Sequence, residues 1–174
     1  LYPILGDAIY ADYDTTLPEV IGDMLRNTGF TVSAAESCTG GTISQLLTSV
    51  PGASEYYLGS VTSYANSVKE NVLGVNPDTI QKYGAVSSEC VAEMAEGVRK
   101  ITGSTFSVAT SGIAGPGGGS EEKPVGLVWV GISSPQGTRT VSFRYSNDRK
   151  RNIERFASSA LNELRKEIQK FINN

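Results

Sequence analysis

Histidine is absent from this 174-residue chain. That removes the Ser-His-Asp triad, the Cys-His dyad, the HExxH zinc helix and most transition-metal sites together, so acid–base work falls to lysine, tyrosine or a carboxylate. Cysteine is almost as scarce. Cys38 and Cys90 are the only two, too few for a disulfide framework or for a structural zinc site without histidine, and both are read as free thiols. Basic charge is not in excess, with 15 Lys and Arg against 18 Asp and Glu and a formal net charge of -3. Without a basic field the chain is not expected to bind nucleic acid. No apolar run approaches the roughly 20 residues that span a bilayer, and no charged-then-apolar segment opens the chain as a secretory signal would. A cytoplasmic protein with no membrane partner is therefore expected.

What is present suits one globular domain: 39% hydrophobic and 19% charged residues, with 19 glycines spread along the chain and no evident repeat. The chain starts at Leu1 rather than methionine, and residues 1–15 lack helical period. They read as a tail or linker from a preceding domain, with the domain proper at 16–174. Thr16 before Leu17-Pro18-Glu19, with Gly29 beyond, predicts a helix over 17–27. Phe30 to Ala35 reads as a strand leading into a tight turn, after which Ile43, Leu46 and Leu47 recur at helical spacing up to Pro51. Residues 57–64 predict a second strand, 66–73 a short helix, and Ser87-Ser88 the cap of a helix carrying Val91, Met94, Ala95 and Val98. Phe106 to Thr110 reads as a strand running into a glycine-rich loop. Residues 125–132 and 139–145 form a hairpin about Pro135-Gln136-Gly137, and Phe156, Ala157, Ala160, Leu161, Leu164 and Ile168 mark a long last helix. Alternating helices and strands with a late hairpin predict a three-layer α/β/α fold whose central sheet is mixed and mostly parallel. In such sheets ligands gather at the carboxyl ends of strands.

Two glycine-rich turns follow predicted strands. In Glu36-Ser37-Cys38-Thr39-Gly40-Gly41, Ser37 sits between strand and helix, where backbone N–H groups can hold an oxyanion and a serine can act as an acyl-transfer nucleophile. The same residues also serve as a plain helix cap and turn, and the local pattern does not separate the two readings. Cys38 is a rival nucleophile, ranked below Ser37 because no imidazole is available to activate it. The second turn, Ser111 to Gly119, fails the P-loop pattern at its lysine and fails GxGxxG as well, leaving exposed amides able to cradle one phosphate or ribose. Tyr64, Asn66 and Lys69 lie at a strand–helix junction, where a buried lysine can serve as base for a serine, although a solvated lysine is the commoner case. Arg149, at the start of the last helix, has the planar fork that clamps phosphate.

Taken in order, AESCTGG at 35–41, VTSYANSVK at 61–69, GAVS at 84–87, SGIAGPGGG at 111–119 and EEKPVG at 121–126 resemble the CinA C-terminal domain family over roughly residues 16 to 165. The resemblance implies a nicotinamide-nucleotide amidase, which hydrolyses the carboxamide of nicotinamide mononucleotide to nicotinate mononucleotide and ammonia and so recycles pyridine nucleotides in bacteria. It implies Ser37 as nucleophile, with Tyr64 and Lys69 as its acid–base partners and the choice of primary base open between them. Substrate contacts are expected from Cys38, Thr39, Gly40, Gly41, Asn66, Ser111, Gly112 and Arg149, the amides of residues 38–40 holding the oxyanion. No metal and no cofactor are implied. Ser111 departs from the commoner Thr-Gly pairing, and Asn147 stands where a glycine often precedes Asp-Arg. The resemblance also implies an N-terminal ADP-ribose pyrophosphatase-like domain in the full chain, with Leu5 to Tyr10 as the join, and a homo-oligomer is expected. The alternative is a catalytically silent nucleotide-binding or partner-binding module.

Overall fold

The computed structural model describes residues 10–173, so all of the expected join except Tyr10 lies outside the described residues. Helix α1 spans Leu17–Thr28 and begins on a capping box. Thr16 Oγ1 accepts from the Glu19 amide while the Glu19 carboxylate accepts from the Thr16 amide, and Gly29 ends the helix in a left-handed conformation. Strand β1 (Val32–Glu36) leads to α2 (Thr42–Thr48), a 3-10 turn (Ala53–Glu55) and β2 (Tyr57–Thr62). Then come α3 (Asn66–Asn71), α4 (Pro77–Tyr83), α5 (Ser88–Thr102), β3 (Phe106–Gly112), the hairpin β4 (Leu127–Ser134) and β5 (Gly137–Arg144), and α6 (Arg149–Ile172). Helix α4 was not expected from periodicity. Its seven residues start at an Asn76 cap followed by proline, but the segment is too short to show an apolar stripe.

The five strands stand in the order β2-β1-β3-β4-β5, with β1 parallel to both β2 and β3 and the β3-β4 and β4-β5 pairs antiparallel. Only β4 therefore runs against the rest, which makes the sheet mixed and mostly parallel as expected. Alternation along the strands sends side chains to two cores. Val32, Ala34, Phe106, Val108 and Val130 pack against α1, α2 and α6, while Ala35 and Ala109 pack against α5 and the stretch after α3. Every residue of β1 is buried, as a central strand covered by helices on both faces requires.

Layer spacing on the α5 side depends on missing side chains. A Cβ on Gly97, inside α5, would collide with the carbonyl oxygen of Leu73, and one on Gly131 in β4 would meet the carbonyl of Val91. Helix α5 therefore lies directly against both the sheet and the chain that follows α3. Replacing Gly97 by alanine should lower unfolding stability by about 1–3 kcal/mol despite the higher helix propensity of alanine. Urea unfolding of the variant checks this; an unchanged or higher midpoint would contradict the close packing.

Candidate active site

The register of β1 decides where the functional groups meet. Glu36, its last residue, pairs with Thr62 of β2 on one side and with Thr110 of β3 on the other. Beyond this level β1 and β2 leave the sheet into Ser37 and into Ser63 with Tyr64, while β3 runs on beside β4 as far as Gly112, so the three meet at one edge. The chain then reverses through Gly40 and Gly41, whose φ values of 58° and 104° lie in the left-handed region that only glycine enters freely. Ser37 is held by its backbone: its amide donates to the Thr110 carbonyl at 3.1 Å, and its carbonyl accepts from the Gly40 amide at 3.1 Å.

Lys69 reaches this point from the second turn of α3. It is 1% exposed, and its Nζ donates to the Ser63 carbonyl at 2.6 Å, the Ser37 hydroxyl at 3.1 Å and the Tyr64 carbonyl at 3.4 Å. Two of these partners can only accept. A neutral amine with two hydrogens can therefore serve both carbonyls and present its lone pair to the Ser37 hydroxyl, while an ammonium donates its third hydrogen to that oxygen. Burial lowers the Lys69 pKa from its ordinary value by disfavouring the charged form. Burial acts on Cys38 in the opposite sense, pushing its thiol up to about 12, so at neutral pH the rival nucleophile is a protonated thiol.

Ser37, Cys38, Tyr64, Gly112, Ala114 and Arg149 line a cleft of about 210 Å³. Tyr64 is 63% exposed, and its hydroxyl accepts from Arg149 Nη2 at 3.0 Å. Arg149 Nη1 donates to the Gly115 carbonyl at 2.8 Å, so the guanidinium bridges the two walls of the cleft. Among the described residues no hydrogen bond joins the Tyr64 hydroxyl to Ser37 or Lys69. A larger groove of about 620 Å³ between residues 71–76 and α5 places no nucleophile beside a base.

The structure does not bring every expected binding residue to the cleft. Thr39 is buried, its hydroxyl shared between the Glu36 carboxylate at 2.7 Å and Thr110 Oγ1 at 2.8 Å. The Gly40 amide is spent on Ser37 and the Gly41 amide on Glu36, at 3.0 Å, so of the three amides expected at an oxyanion those of Cys38 and Thr39 remain without a partner among the described residues. Strand alternation turns Ser111 away from Gly112, onto the α5 face, where its hydroxyl donates to the Ala85 carbonyl at 2.7 Å. Asn66 lies exposed at the start of α3 and lines none of the cleft. Two residues escaped the sequence reading. Asn152, one turn beyond Arg149, donates its Nδ2 to the carbonyls of Ala114 and Asn147, each at 3.0 Å, and so ties the cleft wall to α6. Glu36 is wholly buried beside Ser37; a charged residue ending a strand of small, otherwise uncharged residues was the available signal.

A three-layer α/β/α domain with a buried lysine against a turn serine is the class that fold and geometry define. A model of the CinA C-terminal domain matches residues 14–168. A CinA-like protein of Fervidobacterium nodosum is 47% identical over 170 residues, covering 98% of this chain and 42% of its own length. Another from Desulfosudis oleivorans is 49% identical over 166 residues, covering 94% of this chain and 40% of its own. The crystal structure of a competence/damage inducible protein from Agrobacterium tumefaciens superposes with a TM-score of 0.85 at 37% identity, covering 88% of this chain and 93% of that one. The chain belongs to the CinA C-terminal domain family, and it spans about 40% of the length of the curated relatives it matches.

Burial of Lys69 carries a stability consequence with a definite sign. Its folded-state pKa lies below the unfolded value of about 10.4. Between the two, the unfolded chain binds more protons, so stability rises with pH across that window and the penalty of the buried charge is largest below it. The unfolding free energy of wild type relative to Lys69→Met should therefore increase as pH rises toward 10. Urea titrations of both proteins across neutral to alkaline pH measure it, and a flat or falling difference would contradict the shift.

Proposed function

We propose that this domain is a nicotinamide-nucleotide amidase in which Ser37 is the nucleophile and Lys69 its base. The observation that carries the reading is the 3.1 Å contact between the Lys69 Nζ and the Ser37 hydroxyl, both residues being buried. Neutral Lys69 takes the Ser37 proton as Oγ bonds to the carboxamide carbon. The resulting oxyanion is within the province of the open Cys38 and Thr39 amides. The ammonium of Lys69 then returns a proton to the leaving nitrogen as the C–N bond breaks, releasing ammonia and leaving an ester on Ser37. A water molecule attacks that ester, giving its proton to Lys69, which passes it back to Ser37 Oγ as the acid departs. Tyr64 acts at the substrate rather than as the serine's base, because its hydroxyl faces Arg149. Arg149 is placed to exchange its Tyr64 and Gly115 contacts for the phosphate of the mononucleotide. The named family relatives support the domain type, and the substrate follows from the family resemblance.

Ammonia release from nicotinamide mononucleotide, with the riboside and free nicotinamide as controls, tests the activity. Ser37→Ala should abolish turnover while nucleotide binding persists, and Cys38→Ala should retain most of the rate. Full activity without the Ser37 hydroxyl would end the proposal. Lys69→Met and Lys69→Arg should both lose roughly 100-fold or more in kcat/KM, since arginine keeps the charge but cannot become the base. The wild-type rate should fall as pH drops through the lowered lysine pKa, and substantial rescue by arginine would reduce Lys69 to an electrostatic role.

Arg149→Ala separates substrate recognition from chemistry. Loss of charge-assisted bonds to a phosphate should raise KM for the mononucleotide by about 10- to 100-fold and leave the riboside little changed. Equal losses on both substrates would remove the phosphate assignment.

A further inference from the structure

We propose that Glu36 is the positioning residue of this site, holding the 37–41 turn so that the Ser37 hydroxyl stays against Lys69; this rests on Ser37 being the nucleophile. The carboxylate is fully buried and accepts five hydrogen bonds. Its Oε2 takes Thr39 Oγ1 at 2.7 Å and the amides of Gly41 and Ile43, each at 3.0 Å. Its Oε1 takes the Ser44 amide at 2.9 Å and the Ser44 hydroxyl at 2.5 Å. The chain thus closes a loop around the side chain of its own preceding strand residue.

The consequence for the site is specific. With Gly41, Ile43 and Ser44 amides on Glu36, and the Thr42 amide on the Thr39 carbonyl, the start of α2 has no amide left for a substrate anion. Glu36 is the internal anion of that helix start. Its second task is to fasten the turn to the sheet, because the Thr39 hydroxyl that it accepts also meets Thr110 Oγ1, and the Thr110 carbonyl in turn accepts the Ser37 amide. Ser37 Oγ arrives on the turn after β1 and Lys69 Nζ on α3, so their separation depends on how firmly this turn is held. Two left-handed glycines give the turn no stiffness of their own. A carboxamide in place of the carboxylate would set its N–H groups against at least one of these donors, loosening the turn without emptying the space.

The test measures the nucleophile independently of any natural substrate. The rate of Ser37 phosphonylation by a fluorophosphonate probe, followed by intact mass, is compared in wild type, Glu36→Gln and Glu93→Gln at a temperature well below each midpoint of unfolding. Glu93 is the control because its carboxylate also caps a helix, accepting from the Asn76 amide and the Thr79 hydroxyl at the start of α4, but touches nothing in the 37–41 turn. Glu36→Gln should react at least about tenfold more slowly, as a displaced nucleophile does, while Glu93→Gln stays within about twofold of wild type and loses only stability. With nicotinamide mononucleotide the Glu36 loss should fall on kcat and spare KM, because Glu36 does not line the cleft. Should Glu36→Gln not fold, Thr39→Val removes the hydroxyl that joins Glu36 to Thr110, leaves the four other donors to Glu36 in place, and should still slow labelling severalfold. Wild-type-like labelling of a folded Glu36→Gln or Thr39→Val protein overturns the inference. A wild type labelled at Ser37 but releasing no ammonia, with Glu36→Gln labelled slowly, supports the positioning role and removes only the substrate. A wild type that resists labelling at Ser37 overturns both.

Discussion

The two-sided pairing of β1 is the constraint on which the site depends. A strand bonded in parallel to β2 and β3 must deliver its end at the same level as theirs, and the level is set by Glu36 facing Thr62 and Thr110. A slip of one residue would move every side chain of β1 to the opposite face, placing Ala35 among the large residues of one core and Ala34 against α5. The slip would also carry the Glu36 carboxylate away from its five donors in the 39–44 segment and onto the α5 face, leaving a buried charge without them. Precision at the cleft is therefore tied to the strand register.

Against this rigid edge the protein keeps two ionisable groups out of water. Lys69 is costly, since burial disfavours its charge and its partners include no carboxylate. Three oxygen acceptors offset part of that cost, and what remains holds the Lys69 pKa below its ordinary value. Glu36 is treated in the opposite way, surrounded by five donors that match an acceptor-only group. Ser37 thus touches a buried lysine that bears a desolvation cost and follows in the chain a buried glutamate whose oxygens are filled by donors.

The cleft joins parts that are distant along the chain: Ser37 from the end of β1, Tyr64 from beyond β2, Ala114 from beyond β3 and Arg149 from the start of α6. Arg149 is presented by a helix that Asp148 caps and whose apolar face lies across the sheet. Its guanidinium and Asn152 hold adjacent carbonyls, Gly115 and Ala114, of the glycine-rich loop. The loop is exposed beyond that point, so α6 governs only its root.

Local sequence determined most of the framework. Capping residues and periodicity were enough for α1, α5, α6 and the hairpin, because those signals act within a few residues of chain, and five spaced motifs marked the family. Zero histidines confined the base to lysine, tyrosine or a carboxylate before any fold was known. The short α4 escaped because seven residues cannot display a helical stripe. What only the tertiary structure decided was orientation: that Lys69 is buried on Ser37 rather than solvated, that Tyr64 meets Arg149, and that Ser111 and Thr39 are spent inside the protein. Those outcomes depend on strand register, on which face a residue takes and on the closeness of neighbouring layers, all of which are set by contacts between residues tens of positions apart.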